Sequence, residues 1–182
     1  AVRMALEDLR RRLEPDLPGL RWTASGNLHF TLRFFGDLTR EEADRAGEVL
    51  AAVGPEVVPF ALTLSGVGVF PGWRRPRVLW AGCGGGGPVL EALSRTLERG
   101  FGDRRLSRAD KPFQAHLTLG RWRDGRGLDT ERARAAAEAV GEVASFRVEE
   151  VVVVKSTLSP RGSIYEPLTT VRLSGTLPSG PA

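Results

Sequence analysis

The chain is poor in the residues that build stapled, metal-bound or membrane-embedded folds. Among its 182 residues there is one cysteine, Cys83, which cannot close an internal disulfide and has no cysteine neighbours with which to hold structural zinc. A secreted disulfide scaffold is therefore excluded, and a cytoplasmic protein is expected. No apolar run approaches the about 20 residues that a membrane span requires. The longest candidate, Val151 to Val154, is strand-sized, so no membrane partner is expected. Lysine is almost absent, with 2 against 24 arginines, a skew that follows genomic base composition more often than a binding code. The net charge of +4 permits an anionic partner without demanding one. Histidine is the scarcest residue with acid-base chemistry near neutrality: there are two. What is present is ordinary for a globular protein, 41% hydrophobic and 26% charged residues. At about 150 residues per domain, the length suits one domain or two small lobes with a common core.

Val2, Leu6, Leu9 and Leu13 recur at three- and four-residue spacings and predict an amphipathic helix over 2–13. Asn27 to Phe35, mostly apolar or β-branched and closed by Gly36, reads as a buried strand. Thr39 and Glu42 stand in capping-box spacing ahead of a second helix running to about residue 53. Strands are expected over 57–67 and 77–82. A third helix is expected from Pro88 to Gly100, another strand over 113–122 and an Ala-rich helix over 129–140. A long strand, 146–158, then turns at Ser159-Pro160-Arg161-Gly162 into a last one, 164–173.

Shifting this map by about 87 residues lays helix on helix and strand on strand, which is the mark of an internal duplication. The expected organisation is a single domain, 1–182, of two pseudo-repeats, 1–75 and 76–173, with a short tail, 174–182. The second copy has a strand, 77–82, before its first helix. The first copy has no counterpart before residue 1, so a preceding strand is expected as well. The glycine-rich stretch 82–87 reads as a flexible link between lobes.

Both histidines head the same tetrapeptide, His29-Phe30-Thr31-Leu32 and His116-Leu117-Thr118-Leu119, at the repeat offset. In a strand, positions i and i+2 share a face, so each copy offers an imidazole beside a hydroxyl with apolar anchors behind. With an ordinary pKa near about 6.5, imidazole can give or take a proton at physiological pH. A pair of them suits in-line displacement at a phosphodiester, one activating the nucleophile and the other protonating the leaving oxygen, while threonine hydroxyls hold phosphate oxygens. The plainer alternative is a pair of half-buried structural histidines. It explains one His-x-Thr easily and a duplicated one poorly. Two ligands without a carboxylate are too few for zinc, so neither a metal nor any other cofactor is expected.

Gly82-Cys83-Gly84-Gly85-Gly86-Gly87 satisfies a G-x-G-x-x-G pattern, but Asp103, at the spacing of a ribose-binding acid, lies in a polar stretch rather than at the end of a strand. Five glycines in six residues satisfy any glycine motif. Arg33, four residues after His29, falls on the histidine's face of a regular strand. Arg121, five after His116, falls on the opposite face unless a bulge intervenes. Each is a candidate substrate contact, as is Trp73 in Pro71-Gly72-Trp73-Arg74-Arg75, a ring suited to base stacking. Trp22, Trp80 and Trp122 are further rings that could stack on bases, though core or edge packing is the plainer reading for most of them.

The paired tetrapeptides resemble the H-x-T-x motifs of the 2H phosphoesterase superfamily. The stretches Leu28–Gly36, Ala115–Arg121 and Ser156-Thr157-Leu158 through Gly162 and Tyr165 look like the RNA 2',3'-cyclic phosphodiesterases, also called 2'-5' RNA ligases. The resemblance implies an α+β fold, bilobal and internally duplicated, with two mainly antiparallel sheets forming a central cleft and helices outside. It implies His29 as proton donor to the departing 3' oxygen, His116 as proton acceptor from water, and Thr31 and Thr118 as phosphate ligands. The implied reaction is hydrolysis of RNA 2',3'-cyclic phosphate ends to 2'-phosphates without a metal, with 2'-5' ligation as its reverse. The implied partner is RNA with a cyclic phosphate end, tRNA fragments included, bound by a monomer. A non-catalytic RNA-binding module and a phosphodiesterase of small cyclic or 2'-5' linked nucleotides remain open from the residues alone.

Overall fold

The computed structural model describes residues 1–107, 109, 111–124, 127–159 and 162–176. The elements are α1 (Val2–Leu13), β1 (Leu20–Trp22), α2 (Arg40–Val53), β2 (Phe60–Phe70), β3 (Val78–Cys83) and α3 (Gly87–Asp103). They continue with β4 (His116–Trp122), α4 (Thr130–Glu138), β5 (Glu142–Val148), β6 (Glu150–Ser159) and β7 (Gly162–Arg172). Three short 3-10 turns lie at 14–16, 25–27 and 54–56. The architecture is α+β with two antiparallel sheets: a five-stranded one in the order β1-β4-β3-β2-β5 and the hairpin β6-β7. Among the described residues no helix is long and apolar enough to cross a membrane.

The chain divides into two compact units, each assembled from three segments: 1–30, 61–87 and 115–146 in the first, and 31–60, 88–114 and 147–182 in the second. The pseudo-repeats 1–75 and 76–173 therefore do not correspond one-to-one to the units. Each unit draws on both halves of the sequence, because sheet pairing joins strands far apart in the chain. The element order nevertheless repeats, with α1 and α3, α2 and α4, and β2 and β6 standing at about the expected offset.

In the first unit, α1 turns Leu6, Leu9 and Leu13 inward at helical spacing, and Arg10, Arg11 and Arg12 occupy its last turn, where the helix dipole favours cations. These leucines pack with Leu64, Val69, Leu79, Ala81, Leu117, Leu119, Trp122 and, from α4, Ala133. One face of the sheet is thus covered by apolar residues. Burying a leucine such as Leu79, fully enclosed, contributes about 2 kcal/mol. In the second unit, α2 and α3 contribute Ala46, Val49, Leu50, Leu93, Leu97 and Phe101 to a core that includes Val151 of β6. The capping box forms as expected: Glu42 N–H donates to Thr39 Oγ1 at 3.2 Å and Thr39 N–H to the Glu42 carboxylate at 2.8 Å. The Thr39 N–H and the Thr39 hydroxyl, which donates to Glu42 Oε2 at 3.0 Å, hold the Glu42 carboxyl below its usual pKa.

Three expectations change, and one strand goes unannounced. Among the described residues the expected strand 27–35 has no ladder partner: Ser25–Asn27 is a 3-10 turn, Leu28 is extended and residues 28–35 form no strand. Apolar, β-branched content fits a strand, but only a neighbouring backbone makes one. The expected strand 146–158 is two strands in two sheets, with Glu149 between them; its carbonyl accepts the N–H of Leu173 at 2.8 Å. The short β1 was not signalled by its three residues. The glycine stretch is no slack tether: Thr63 N–H donates to Gly85 O and Gly84 N–H to Thr63 O, both at 2.8 Å, so it continues the β2–β3 pairing. Gly86 has φ +82, and a Cβ there would lie 2.1 Å from Ala61 O, which explains the glycines by close backbone approach. The expected turn residues Pro160 and Arg161, and 177–182 of the expected tail, lie outside the described residues.

Candidate functional site

Both histidines belong to the first unit. His116 opens β4 and pairs with Gly82, while Thr118 pairs with Trp80. The face of β4 follows from the alternation of the strand. Leu117 and Leu119 enter the core, leaving His116 and Thr118 half-buried on the other face. The ladder then slips: Trp80 pairs with Thr118 but Leu79 with Gly120, leaving Leu119 as an extra residue. This is the bulge on which the side of Arg121 depends. Arg121 pairs with Val78, which lies two residues from Trp80 and shares its face, so Arg121 stands exposed on the side of His116 and Thr118.

The same face carries aromatic rings. Trp80 lies flat on the sheet over Gly68, where a Cβ would sit 2.3 Å from its six-membered ring. Only glycine leaves that space. Phe70 rests beside Trp80 with centroids 5.2 Å apart, and meets the His116 ring edge-on at 5.1 Å and 90°. Edge-to-face contact suits the ring quadrupoles. His116 is therefore held both by a strand register and by an aromatic neighbour.

His29 is positioned differently. Thr23 N–H donates to Leu119 O at 2.8 Å, which continues β1 along β4 toward the His116 end before the 3-10 turn at 25–27. Leu28 and Phe30 pack against the first unit's core on either side of exposed His29. His29 Nδ1 lies 2.7 Å from the carbonyl oxygen of Asn27. A carbonyl only accepts, so Nδ1 carries the hydrogen and Nε2 is left as the nitrogen that exchanges a proton.

The remaining candidates fare unevenly. Thr31 is exposed and is the first residue of the second unit, where Leu32 joins that unit's core. Arg33 also belongs to the second unit, its side chain 7% exposed. Its guanidinium donates to Ser107, lies 3.6 Å from the Glu98 carboxylate and stacks 5.1 Å from the Phe35 centroid. These are internal partners, as the chain leaves the strand path on which Arg33 would share the face of His29. Trp73 is half-buried against the first unit's core and lines a surface depression with Pro71, Gly72, Arg74 and Arg75. Trp22 and Trp122 face the core, and Trp122 Nε1 donates to Pro18 O at 3.1 Å. Sequence reasoning missed Phe70 and Arg21 on the histidine face and named Trp80 without placing it there; alternation along β3, once its register is known, was the available signal for Trp80. Among the described residues no three His, Cys, Asp or Glu side chains are grouped to hold a metal ion.

Residues 1–159 match the family described as the 2'-5' RNA ligase superfamily. Two curated relatives named RNA 2',3'-cyclic phosphodiesterase are similar over most of their length. The one from Aeropyrum pernix is 34% identical over 146 residues, 80% of this chain and 82% of its own. The one from Methanothermobacter thermautotrophicus is 36% identical over 152 residues, 81% and 79% of the two chains. Among solved structures, TT0787 of Thermus thermophilus superposes with a TM-score of 0.76 at 28% identity, covering 96% of this chain and 92% of its own. Escherichia coli LigT complexed with 3'-AMP superposes with a TM-score of 0.72 at 25% identity, covering 95% and 91%.

Proposed function

This chain belongs to the 2'-5' RNA ligase superfamily, and from that premise we propose that it is a cytoplasmic, monomeric enzyme that hydrolyses RNA 2',3'-cyclic phosphate ends to 2'-phosphomonoesters by acid-base catalysis between His116 and His29. The names of its relatives support the substrate class. What supports the mechanism most is the face of β4 that carries His116, Thr118 and Arg121 together, in the same unit as a second histidine from a matching H-x-T-L tetrapeptide.

Neutral His116 takes a proton from water as the oxygen attacks phosphorus. The bond to the 3' oxygen breaks on the far side, and that oxygen leaves with the proton of the His29 imidazolium. One P–O bond forms and one breaks, and the two histidines end with exchanged protonation states that solvent resets. The hydrogen bond from His29 Nδ1 to Asn27 leaves Nε2 as the donor nitrogen. Thr118 donates its hydroxyl to a non-bridging oxygen, the role its counterpart Thr31 takes by the motif. Arg121 supplies positive charge to the substrate. With a 5'-hydroxyl in place of water as the nucleophile, the same displacement of the 3' oxygen joins RNA ends through a 2'-5' bond.

The test is incubation with an oligonucleotide, such as a tRNA fragment, ending in a 2',3'-cyclic phosphate, with and without EDTA, followed by identification of the terminus. The expected product is a 2'-phosphate, formed equally in both. RNA binding without turnover would instead assign a binding module, and abolition by EDTA would assign a metal enzyme.

A further inference from the structure

The pairing of β1 with β4 sets Arg21 directly opposite Arg121. Their neighbours fix the side they occupy: Leu20 and Trp22 pack toward the core, and Arg10 of α1 lies 5.9 Å from the Trp22 ring, so Arg21 and Arg121 both project from the opposite, histidine-bearing face. Both are exposed, and neither has an ion-pair or hydrogen-bond partner among the described residues. Like charges directly opposite in a ladder destabilise it. An anion bridging two guanidinium groups reverses that cost, and guanidinium matches phosphate oxygens two at a time.

We propose that Arg21 and Arg121 together form a subsite for the first internal phosphodiester of the RNA, the linkage on the 5' side of the nucleotide that carries the cyclic phosphate. The proposal rests on the functional reading above. The bulge at Leu119 leaves Arg121 two ladder steps beyond Thr118, roughly 7 Å along the strand, on the order of one extended nucleotide. A cyclic mononucleotide has no phosphate to place there; any longer RNA does. Arg21 stands on an edge strand of the sheet, so truncating it leaves the ladder and core in place.

Three substrates separate the contributions: a 2',3'-cyclic mononucleotide, a dinucleotide with the same cyclic end, and that dinucleotide with a neutral methylphosphonate at its internal linkage. In wild type the dinucleotide is expected to exceed both others in kcat/KM. Arg21→Ala is expected to lower kcat/KM on the dinucleotide about tenfold, the effect of one lost charged hydrogen bond, and to leave the mononucleotide unchanged. The methylphosphonate removes in wild type what the substitution removes, so the variant loses nothing more on it. Arg21→Lys is expected to recover part of the loss. An Arg21→Ala variant that matches wild type on all three, or that falls equally on all three, overturns the subsite while leaving the enzyme assignment intact. A wild type inactive on all three overturns the functional reading and the subsite with it.

Discussion

Two copies of one tetrapeptide pattern are folded in two ways. His116-Leu117-Thr118-Leu119 lies wholly within the first unit, on a strand paired on both sides, with Leu117 and Leu119 buried. His29-Phe30-Thr31-Leu32 has no ladder; its first two residues belong to the first unit and its last two to the second, and Phe30 and Leu32 join different cores. The two copies share chemistry and differ in what restrains it. His116 is held by register and the Phe70 ring, and His29 by the Asn27 carbonyl and flanking apolar residues. A motif specifies which groups are offered to a substrate, whereas long-range pairing decides how each is held.

The largest effect tests whether the chemistry is equal despite this difference. His29→Ala and His116→Ala are each expected to lower kcat on a cyclic-ended oligonucleotide by about 10² to 10⁴, and the double variant to be little worse than either, since paired acid and base act as a unit. A large loss in one variant alone would break the comparison. Next, Thr118→Val and Thr31→Val remove hydroxyls while preserving shape. Each is expected to cost about 10- to 100-fold in kcat/KM, the range of a hydrogen bond to a charged group, with thermal unfolding barely shifted.

Two smaller effects address stability. Gly68→Ala places a Cβ against Trp80 and is expected to cost about 1–3 kcal/mol in urea unfolding, by overpacking the ring layer that supports His116. The restraints seen at His29, the Asn27 carbonyl and the packing of Leu28 and Phe30, are separate contacts from the Gly68–Trp80 one, so the His29 amide should keep its hydrogen-exchange rate. Smallest is the cap of α2, where Thr39→Ala is expected to cost about 1 kcal/mol. The Glu42 carboxyl is depressed by this cap, so its contribution is present above the unfolded-state pKa and fades as pH falls through the folded one. The difference between wild type and Thr39→Ala should therefore narrow in acid.

What the sequence made legible was local. Helices α1, α2 and α4 lie within a residue or two of their expected ranges, because apolar spacing, the Thr39–Glu42 box and a run of alanines act within a few residues. The face shared by His116 and Thr118 follows from strand alternation, and that of Arg121 depended on a bulge visible only in the pairing with β3. What was hidden required long-range partners: the missing ladder at 28–35, the division at Glu149, and the interleaving of both halves of the chain in each unit. Arg33 shows the same limit, since Glu98 and Ser107, its partners, are more than sixty residues away in sequence. Trp73 was singled out for its basic neighbours, whereas the rings beside His116, Trp80 and Phe70, became visible only through strand pairing and the glycine beneath Trp80.

The central claim is that one histidine gives a proton while the other takes one, and the pH dependence of kcat/KM in wild type and the two alanine variants tests it most directly. A bell-shaped wild-type profile, with His116→Ala losing the limb that reports the base and His29→Ala losing the limb that reports the acid, is the predicted result. Residual activity in both variants that follows the unchanged wild-type bell would contradict it.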